Sequence, residues 1–139
     1  MDAACERLGR QINIMEVCGT HTVCIFRNGI RSTLPKHLKL LSGPGCPVCV
    51  TPNGYLDKAI AIAGGKNVII TTFGDMLRVP GSRSTLEIEK AGGCDIRTVY
   101  STTDALGIAE RNPEKEVVFL GVGFETTAPT VAMAIIEAK

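Results

Sequence analysis

Three cysteines and a histidine fall in two short clusters along the chain. Cys18 and His21 have Cys-x-x-His spacing, and Cys46 and Cys49 have Cys-x-x-Cys spacing. Thiolate and imidazole groups bind zinc, iron and copper(I) in proteins. Two cysteines at Cys-x-x-Cys spacing can also cycle between a dithiol and a disulfide. The four residues therefore predict either a soft-metal site or a thiol redox site.

The Cys-x-x-Cys cluster lies in the segment Ser-Gly-Pro-Gly-Cys-Pro-Val-Cys, residues 42–49. Its two glycines and two prolines indicate a stiff, turned backbone, which leads into a helix predicted to begin near Pro52. A thiol close to a helix N-terminus has a lowered pKa, so we expect an increased thiolate fraction in this cluster. The alternative interpretation is a pair of buried structural cysteines that act as small apolar residues.

The first cluster is less specific when it is considered alone. It is also compatible with a half-buried Cys and His pair at a helix start, with Thr20 as the N-cap. Together with the second cluster it makes a Cys3His set, which is common in closed zinc sites, whereas thiolates with an open position suit iron or copper(I). We expect Cys24 to face the core, and Cys5 and Cys94 to have no role in the site.

Composition excludes several classes of function. The 139 residues include 15 basic and 14 acidic side chains, 4% aromatic residues and no tryptophan, which argues against nucleic-acid binding. No apolar run approaches the roughly 20 residues of a membrane span, and residues 1–10 lack a signal-peptide core. Six cysteines within a chain of 45% hydrophobic residues favour reduced thiols over a disulfide framework. We expect a cytoplasmic protein without a membrane partner.

Apolar, β-rich runs alternate with helix-like segments throughout the chain. The predicted strands are residues 12–17, 38–41, 68–72, 96–100 and 117–121. The predicted helices are residues 20–26, 55–63, 85–91, 104–111 and 130–138. This alternation predicts a single α/β domain over residues 1–139, with a mostly parallel five-stranded sheet flanked by helices in a Rossmann-like three-layer sandwich.

Ligands of such sheets gather at the carboxyl ends of the strands, where this sequence places its polar and glycine-rich segments. After the third predicted strand, Asp75 and Arg78 are candidates to orient a ligand or a partner. The alternative is a helical turn that Asp75 caps and in which Arg78 pairs locally.

A second candidate segment follows the fifth predicted strand. Gly123 with the hydroxyls of Thr126 and Thr127 at a helix start predicts an anion site. The segment lacks the lysine of a P-loop and the third glycine of a dinucleotide fingerprint, so a nucleotide is only weakly indicated. Glu125 is a candidate general acid or base, or a hydrogen-bond partner of a ligand.

Four segments, in order, resemble the signature motifs of a known family. They are MEVCGTHT at 15–22, GPGCPVC at 43–49, TFGDMLRVPGS at 72–82 and GFETT at 123–127. They resemble the HypD family, maturation proteins of [NiFe]-hydrogenases that serve as the scaffold for the Fe(CN)2CO unit. The resemblance runs from about Asn13 to the end of the chain.

The resemblance implies roles for particular residues. Cys18 corresponds to the family's proposed iron ligand, and Cys46 and Cys49 to its redox or iron-binding pair. His21 and Glu125 correspond to motif positions in the same cleft. The implied partners are a HypC-type chaperone and HypE, which delivers cyanide together with HypF.

The chain departs from the family pattern in two ways. Members of the family are longer and carry a C-terminal [4Fe-4S] cluster, but the remaining cysteines here lack cluster spacing, so the cluster's ligands are absent from this chain. We therefore expect an N-terminal part of a longer protein. Many relatives also carry a second histidine where this chain has Val23.

The resemblance favours an assembly scaffold for a metal centre over an enzyme of conventional turnover. A thiol–disulfide oxidoreductase that uses Cys46 and Cys49 is the first alternative. A structural Cys3His zinc domain is the second.

Overall fold

A computed structural model describes residues 7–138 of the chain, so the prediction for Cys5 lies outside the described residues. The chain divides into two compact units, Met1–Cys49 and Val50–Lys139. We describe each unit by itself. The single domain expected from the sequence stays a prediction.

The first unit is built around two parallel strands. Its elements are β1 (Ile12–Glu16), α1 (Gly19–Arg27), a 3-10 turn (Ile30–Thr33) and β2 (Leu38–Ser42). The short helix α2 (Pro47–Val50) follows and includes the first residue of the second unit. β1 and β2 pair in register from Ile12 opposite Leu38 to Glu16 opposite Ser42. The two strands therefore end side by side at the same edge, because both run in the same direction.

The second unit contains a three-stranded parallel sheet in the order β4-β3-β5. Its helices and strands are α3 (Asn53–Ala63), β3 (Val68–Thr72), α4 (Leu86–Ala91), β4 (Ile96–Thr98), α5 (Thr102–Glu110), β5 (Glu116–Phe119) and α6 (Ala128–Glu137). Two 3-10 turns, Gly74–Arg78 and Glu125–Thr127, follow β3 and precede α6.

Helices cover both faces of this sheet. Neighbouring residues of β3 point to opposite faces, as successive strand residues must. Ile70 packs in one cluster with Ala59 of α3 and Leu86 of α4, whereas Ile69 packs in the other with Ile108 of α5. The second unit is therefore a three-layer α/β/α sandwich.

The predicted α/β class is confirmed, and each of the five predicted strands is present within a few residues of its expected bounds. The prediction of one five-stranded sheet was wrong in its strand count, because the strands form one sheet of two and one of three. An apolar run shows that a strand is shielded from water, but pairing depends on backbone hydrogen bonds between distant segments. That information is not contained in the run itself.

No helix among residues 7–138 is both long enough and apolar enough to cross a bilayer.

The core of the second unit makes a direct prediction about stability. Leu86 is fully buried, and Ile88 on the same helix is 61% exposed. We expect Leu86→Ala to lower the free energy of unfolding by about 2–5 kcal/mol, because it removes buried methyl groups and leaves a cavity. Ile88→Ala is the matched control and should change it by about 0.5 kcal/mol or less. Chemical denaturation measures both, and equal losses would contradict this core.

An ion-pair group joins the amino ends of two strands of the second unit. Asp95, next to β4, accepts hydrogen bonds from Nε and Nη2 of Arg97, both at 2.8 Å. It also accepts one from Nζ of Lys115, next to β5, at 3.0 Å. The guanidinium of Arg97, assisted by Lys115, lowers the pKa of Asp95 from its ordinary value of 3.8 to about 2.

This ion-pair group predicts that the stability of the fold depends on pH in the acid range. A carboxyl whose pKa is lower in the folded than in the unfolded state stabilises the fold above the unfolded pKa and loses that contribution as pH falls. The Asp95 contribution should therefore be complete above pH 3.8 and disappear towards pH 2. Thermal unfolding of Asp95→Asn should show a smaller fall in Tm over this interval than the wild-type protein. Parallel falls would contradict the assignment.

Candidate metal and thiol site

The parallel pairing of β1 and β2 positions the cysteine clusters. Glu16 and Ser42 are opposite each other at the carboxyl ends of the two strands. Cys18 follows the first strand after one intervening residue, and Cys46 follows the second after three. Because both loops leave the same edge, side chains far apart in sequence are brought to one place.

Two glycines allow the second loop to fit against the first. A Cβ at Gly43 would overlap the carbonyl oxygen of Glu16, so only glycine permits this close approach. Gly45 has a φ of +97°, a backbone conformation that residues with a side chain rarely adopt. Glycine is therefore favoured at both positions of the Gly-Pro-Gly turn, at Gly43 by the contact with Glu16 and at Gly45 by its backbone conformation.

The three sulfur atoms form one group. The Sγ atoms of Cys46 and Cys49 are 3.4 Å apart, and those of Cys46 and Cys18 are 3.9 Å apart. All three lie within 4.8 Å of one another. Cys18 and Cys46 are half-buried and Cys49 is exposed, all as thiols outside any disulfide. This arrangement can hold one metal ion, or can exchange a disulfide among three sulfurs.

Cys18 occupies the N-cap position of α1, so the expectation that Thr20 is the N-cap was wrong. The helix begins at Gly19, two residues earlier than an N-cap at Thr20 requires, and its first amides lie close to the sulfur of Cys18. The backbone N–H groups of His21 and then Thr20 lower the pKa of Cys18 from 9.0 to about 7. A large part of this thiol is therefore thiolate at neutral pH.

The pKa of Cys46 shifts in the opposite direction. Its hydrogen bond with Cys49 is the largest cause that raises the pKa, followed by burial, and the nearby charge of Cys18 also contributes. The expectation of a lowered pKa in the Cys-x-x-Cys cluster was therefore wrong for Cys46. The backbone amide of Cys49 lowers the pKa of Cys46, but the neighbouring sulfur atoms and burial outweigh it.

The other sulfur and imidazole groups lie outside the cluster. His21 is exposed on α1 and is not a member of the three-sulfur group. Cys24 is exposed and its Sγ accepts a hydrogen bond from Asn28, so the expectation that it faces the core was wrong. Cys94 is half-buried beside the core of the second unit. Within residues 7–138 neither cysteine belongs to a further ligand group.

In the 3-10 turn Gly74–Arg78 after β3, Arg78 makes the local ion pair that the sequence left open as an alternative. Arg78 pairs with Glu87 at 3.5 Å, and both side chains are more than half exposed. Asp75 lies in the first turn of the 3-10 segment, but the N-cap there is Phe73, without a side-chain cap. Local pairing of Arg78 is therefore present, whereas capping by Asp75 is not.

The second candidate segment precedes α6. Glu125 and Thr126 are exposed and Thr127 is half-buried within the 3-10 turn. The amide of Thr127 donates to the carbonyl oxygen of Phe124, and the carbonyl oxygen of Thr127 accepts from the hydroxyl of Thr130. The site roles of Gly123, Glu125 and these threonines stay predictions.

Comparison with known proteins agrees with the motifs. The family model described as "HypD: Hydrogenase formation hypA family" matches residues 1–139. The chain belongs to the HypD family. It is 53% identical to hydrogenase maturation factor HypD of Rhodobacter capsulatus over 93% of its length, 51% to that of Escherichia coli K12 over 94%, and 50% to that of Azotobacter vinelandii over 94%. It covers 34–35% of those relatives, so it spans about a third of their length.

Two features of this HypD-family site were missed from the sequence. Glu16 and Thr22 connect the end of β1 to α1 by a side-chain hydrogen bond, which apolar periodicity does not reveal. The near-zero net charge also hides an asymmetry, since residues 7–49 contain six basic side chains and one acidic side chain, Glu16. Counting the charged residues of each segment separately would have revealed this asymmetry.

The amide contribution to the Cys18 pKa can be tested by removing one N–H group. His21→Pro lacks the backbone N–H that is the largest cause of the shift, and proline is tolerated in the first turn of a helix. We expect the pKa of Cys18 to rise from about 7 towards 9, which reduces its alkylation rate near pH 7 about tenfold or more.

The measurement is iodoacetamide modification of Cys18 against pH, followed by peptide mass spectrometry. His21→Ala is the matched control, because it keeps the amide and should keep the low pKa. An unchanged pH profile in His21→Pro would contradict the assignment to the helix amides.

Proposed function

We propose that this HypD-family chain holds iron through Cys18, Cys46 and Cys49 while the Fe(CN)2CO unit of [NiFe]-hydrogenase is assembled. The observation that carries the proposal is the gathering of three sulfurs from two strand ends within 4.8 Å. The relatives are hydrogenase maturation factors, and this supplies the biological setting. In this proposal the chain is an assembly scaffold and the iron is its cargo.

The donor set suits this cargo. Iron that carries cyanide and carbon monoxide is a soft centre, and thiolates are soft ligands. The pKa of Cys18 is lowered and that of Cys46 is raised, so Cys18 offers a thiolate at neutral pH before Cys46 does. Three protein donors leave further positions of the metal open to diatomic ligands.

Cys46 and Cys49 have a second role in the proposal. Their sulfurs are 3.4 Å apart, so a small movement closes a disulfide. Oxidation of this dithiol to a disulfide releases two electrons and two protons, which the pair can supply to a centre under assembly. The same spacing favours the thiol–disulfide oxidoreductase as the second candidate function.

Other parts of the proposal rest on the family resemblance. His21 and Glu125 are assigned to the cleft, with Glu125 as acid, base or hydrogen-bond partner. Gly123, Thr126 and Thr127 are assigned to ligand binding. For the family's [4Fe-4S] cluster the described residues do not fit, because the remaining cysteines, Cys24 and Cys94, form no ligand group.

The proposed partners are a HypC-type chaperone, which shares the iron, and HypE with HypF, which deliver cyanide. The proposed location is the cytoplasm. Because the chain spans about a third of its relatives, the reconstruction that tests the proposal must include these partners.

Infrared spectroscopy tests the proposal on chain purified without oxygen after co-expression with the HypC-type chaperone, HypE and HypF. We expect the stretching bands of cyanide and carbon monoxide in the wild-type complex, and their loss in Cys18→Ala. Cys24→Ala is the matched control, since this cysteine lies on α1 outside the sulfur group and should keep the bands. A wild-type complex without the bands would overturn the scaffold.

The second candidate makes a different prediction for the same variants. An oxidoreductase that uses only Cys46 and Cys49 should retain full disulfide exchange activity in Cys18→Ser, whereas the scaffold should lose iron. Retained iron together with lost exchange activity would contradict both.

A further inference from the structure

Glu16 makes a side-chain contact that has no part in the proposed chemistry. It is the last residue of β1, and its Oε1 accepts a hydrogen bond from the hydroxyl of Thr22 in α1. The amide of Thr22 donates in turn to the carbonyl oxygen of Cys18 at 3.1 Å, and its hydroxyl lies 3.4 Å from the same oxygen. A strand end, a helix start and Cys18 are thus joined through two side chains.

The buried carboxylate of Glu16 does not contribute to the stability of the fold. Its second oxygen, Oε2, is inaccessible to solvent and has no hydrogen-bond partner among the described residues. An unsatisfied buried carboxylate oxygen destabilises a fold, and a pair of apolar side chains in its place is often neutral or stabilising. A half-satisfied carboxylate two residues before Cys18, on the side chain that contacts α1, therefore indicates a function.

Glu16 also meets the loop that carries the other two cysteines. Its carbonyl oxygen lies where a Cβ of Gly43 would be, so the Gly-Pro-Gly turn packs directly on its backbone. The backbone of Glu16 thus contacts the second loop, while its side chain contacts α1 after the first. Glu16 therefore contacts both segments that hold the cysteines in place.

We propose that Glu16 is a positioning residue, which fixes the start of α1 through Thr22 and so holds the Cys18 sulfur against Cys46 and Cys49. The inference rests on the proposed function, in which those three sulfurs hold a metal. A hydrogen bond is directional and fixes both the distance and the orientation of a helix start, whereas an apolar contact permits sliding. Loss of residues that orient metal ligands typically lowers metal affinity about 10–100-fold.

Direct ligation by Glu16 is a different idea, which the geometry does not favour. Among the described residues, the group of ligand atoms within 4.8 Å contains the three sulfurs and no carboxylate oxygen. Glu16 therefore acts on the metal site through the placement of Cys18.

The experiment uses the 139-residue chain and cobalt(II) as the probe, because thiolate–cobalt charge-transfer bands report the sulfur ligands directly. Glu16→Met with Thr22→Val replaces the polar pair by apolar side chains of similar size. Glu16→Gln and Thr22→Ser are the conservative variants, since each retains the hydrogen bond. Thermal unfolding is followed for every variant.

We expect the apolar pair to bind cobalt(II) at least tenfold more weakly, with a Tm equal to or above that of the wild-type protein. Both conservative variants should keep wild-type affinity. Thr22→Val alone removes only the hydroxyl and should reproduce the loss of affinity, so the test does not depend on the double variant. Wild-type affinity in the apolar pair, or an equal loss in Glu16→Gln, would overturn the positioning role.

A second readout without metal separates this inference from the proposed function. Dibromobimane bridges two nearby thiols, and in a Cys49→Ser background its bridging of Cys18 to Cys46 reports their separation. We expect slower bridging when the Glu16 pair is apolar. If the wild-type chain binds no cobalt(II) through thiolates, the metal function fails, while unchanged bridging in the apolar pair overturns the positioning role itself.

Discussion

The parallel pairing of β1 with β2 is the constraint on which the site depends. Its register ends with Glu16 opposite Ser42, so the loops that carry Cys18 and Cys46 leave one edge together. An antiparallel pair would place these loops at opposite ends of the strands. The separation of 3.9 Å between the two sulfurs is therefore a consequence of strand direction together with the close approach allowed at Gly43.

Within this geometry the three thiols are chemically unequal. Helix amides lower the pKa of Cys18, whereas neighbouring sulfur raises that of Cys46. A single acidic thiol next to a close pair separates two tasks, because Cys18 offers a thiolate to a metal while Cys46 and Cys49 are close enough for redox chemistry.

Much of this arrangement could be predicted from local patterns. The run at residues 68–72 became β3 with the same bounds, and the turn residues around Cys46 indicated a stiff loop. The division of the strands between two sheets could not be predicted, because the choice of a partner strand depends on hydrogen bonds between segments distant in sequence. Neither the N-cap role of Cys18 nor the Glu16–Thr22 contact could be predicted, because cysteine is not a preferred cap and side-chain hydrogen bonds leave no periodic signal.

The central claim is that three sulfurs of this HypD-family chain act as one ligand set. X-ray absorption spectroscopy at the iron edge, on wild-type chain loaded with iron(II) without oxygen, measures that set directly. We expect a shell of three sulfur neighbours, reduced to two in Cys18→Ser. A shell of oxygen and nitrogen alone, or a sulfur count that Cys18→Ser leaves unchanged, would contradict it.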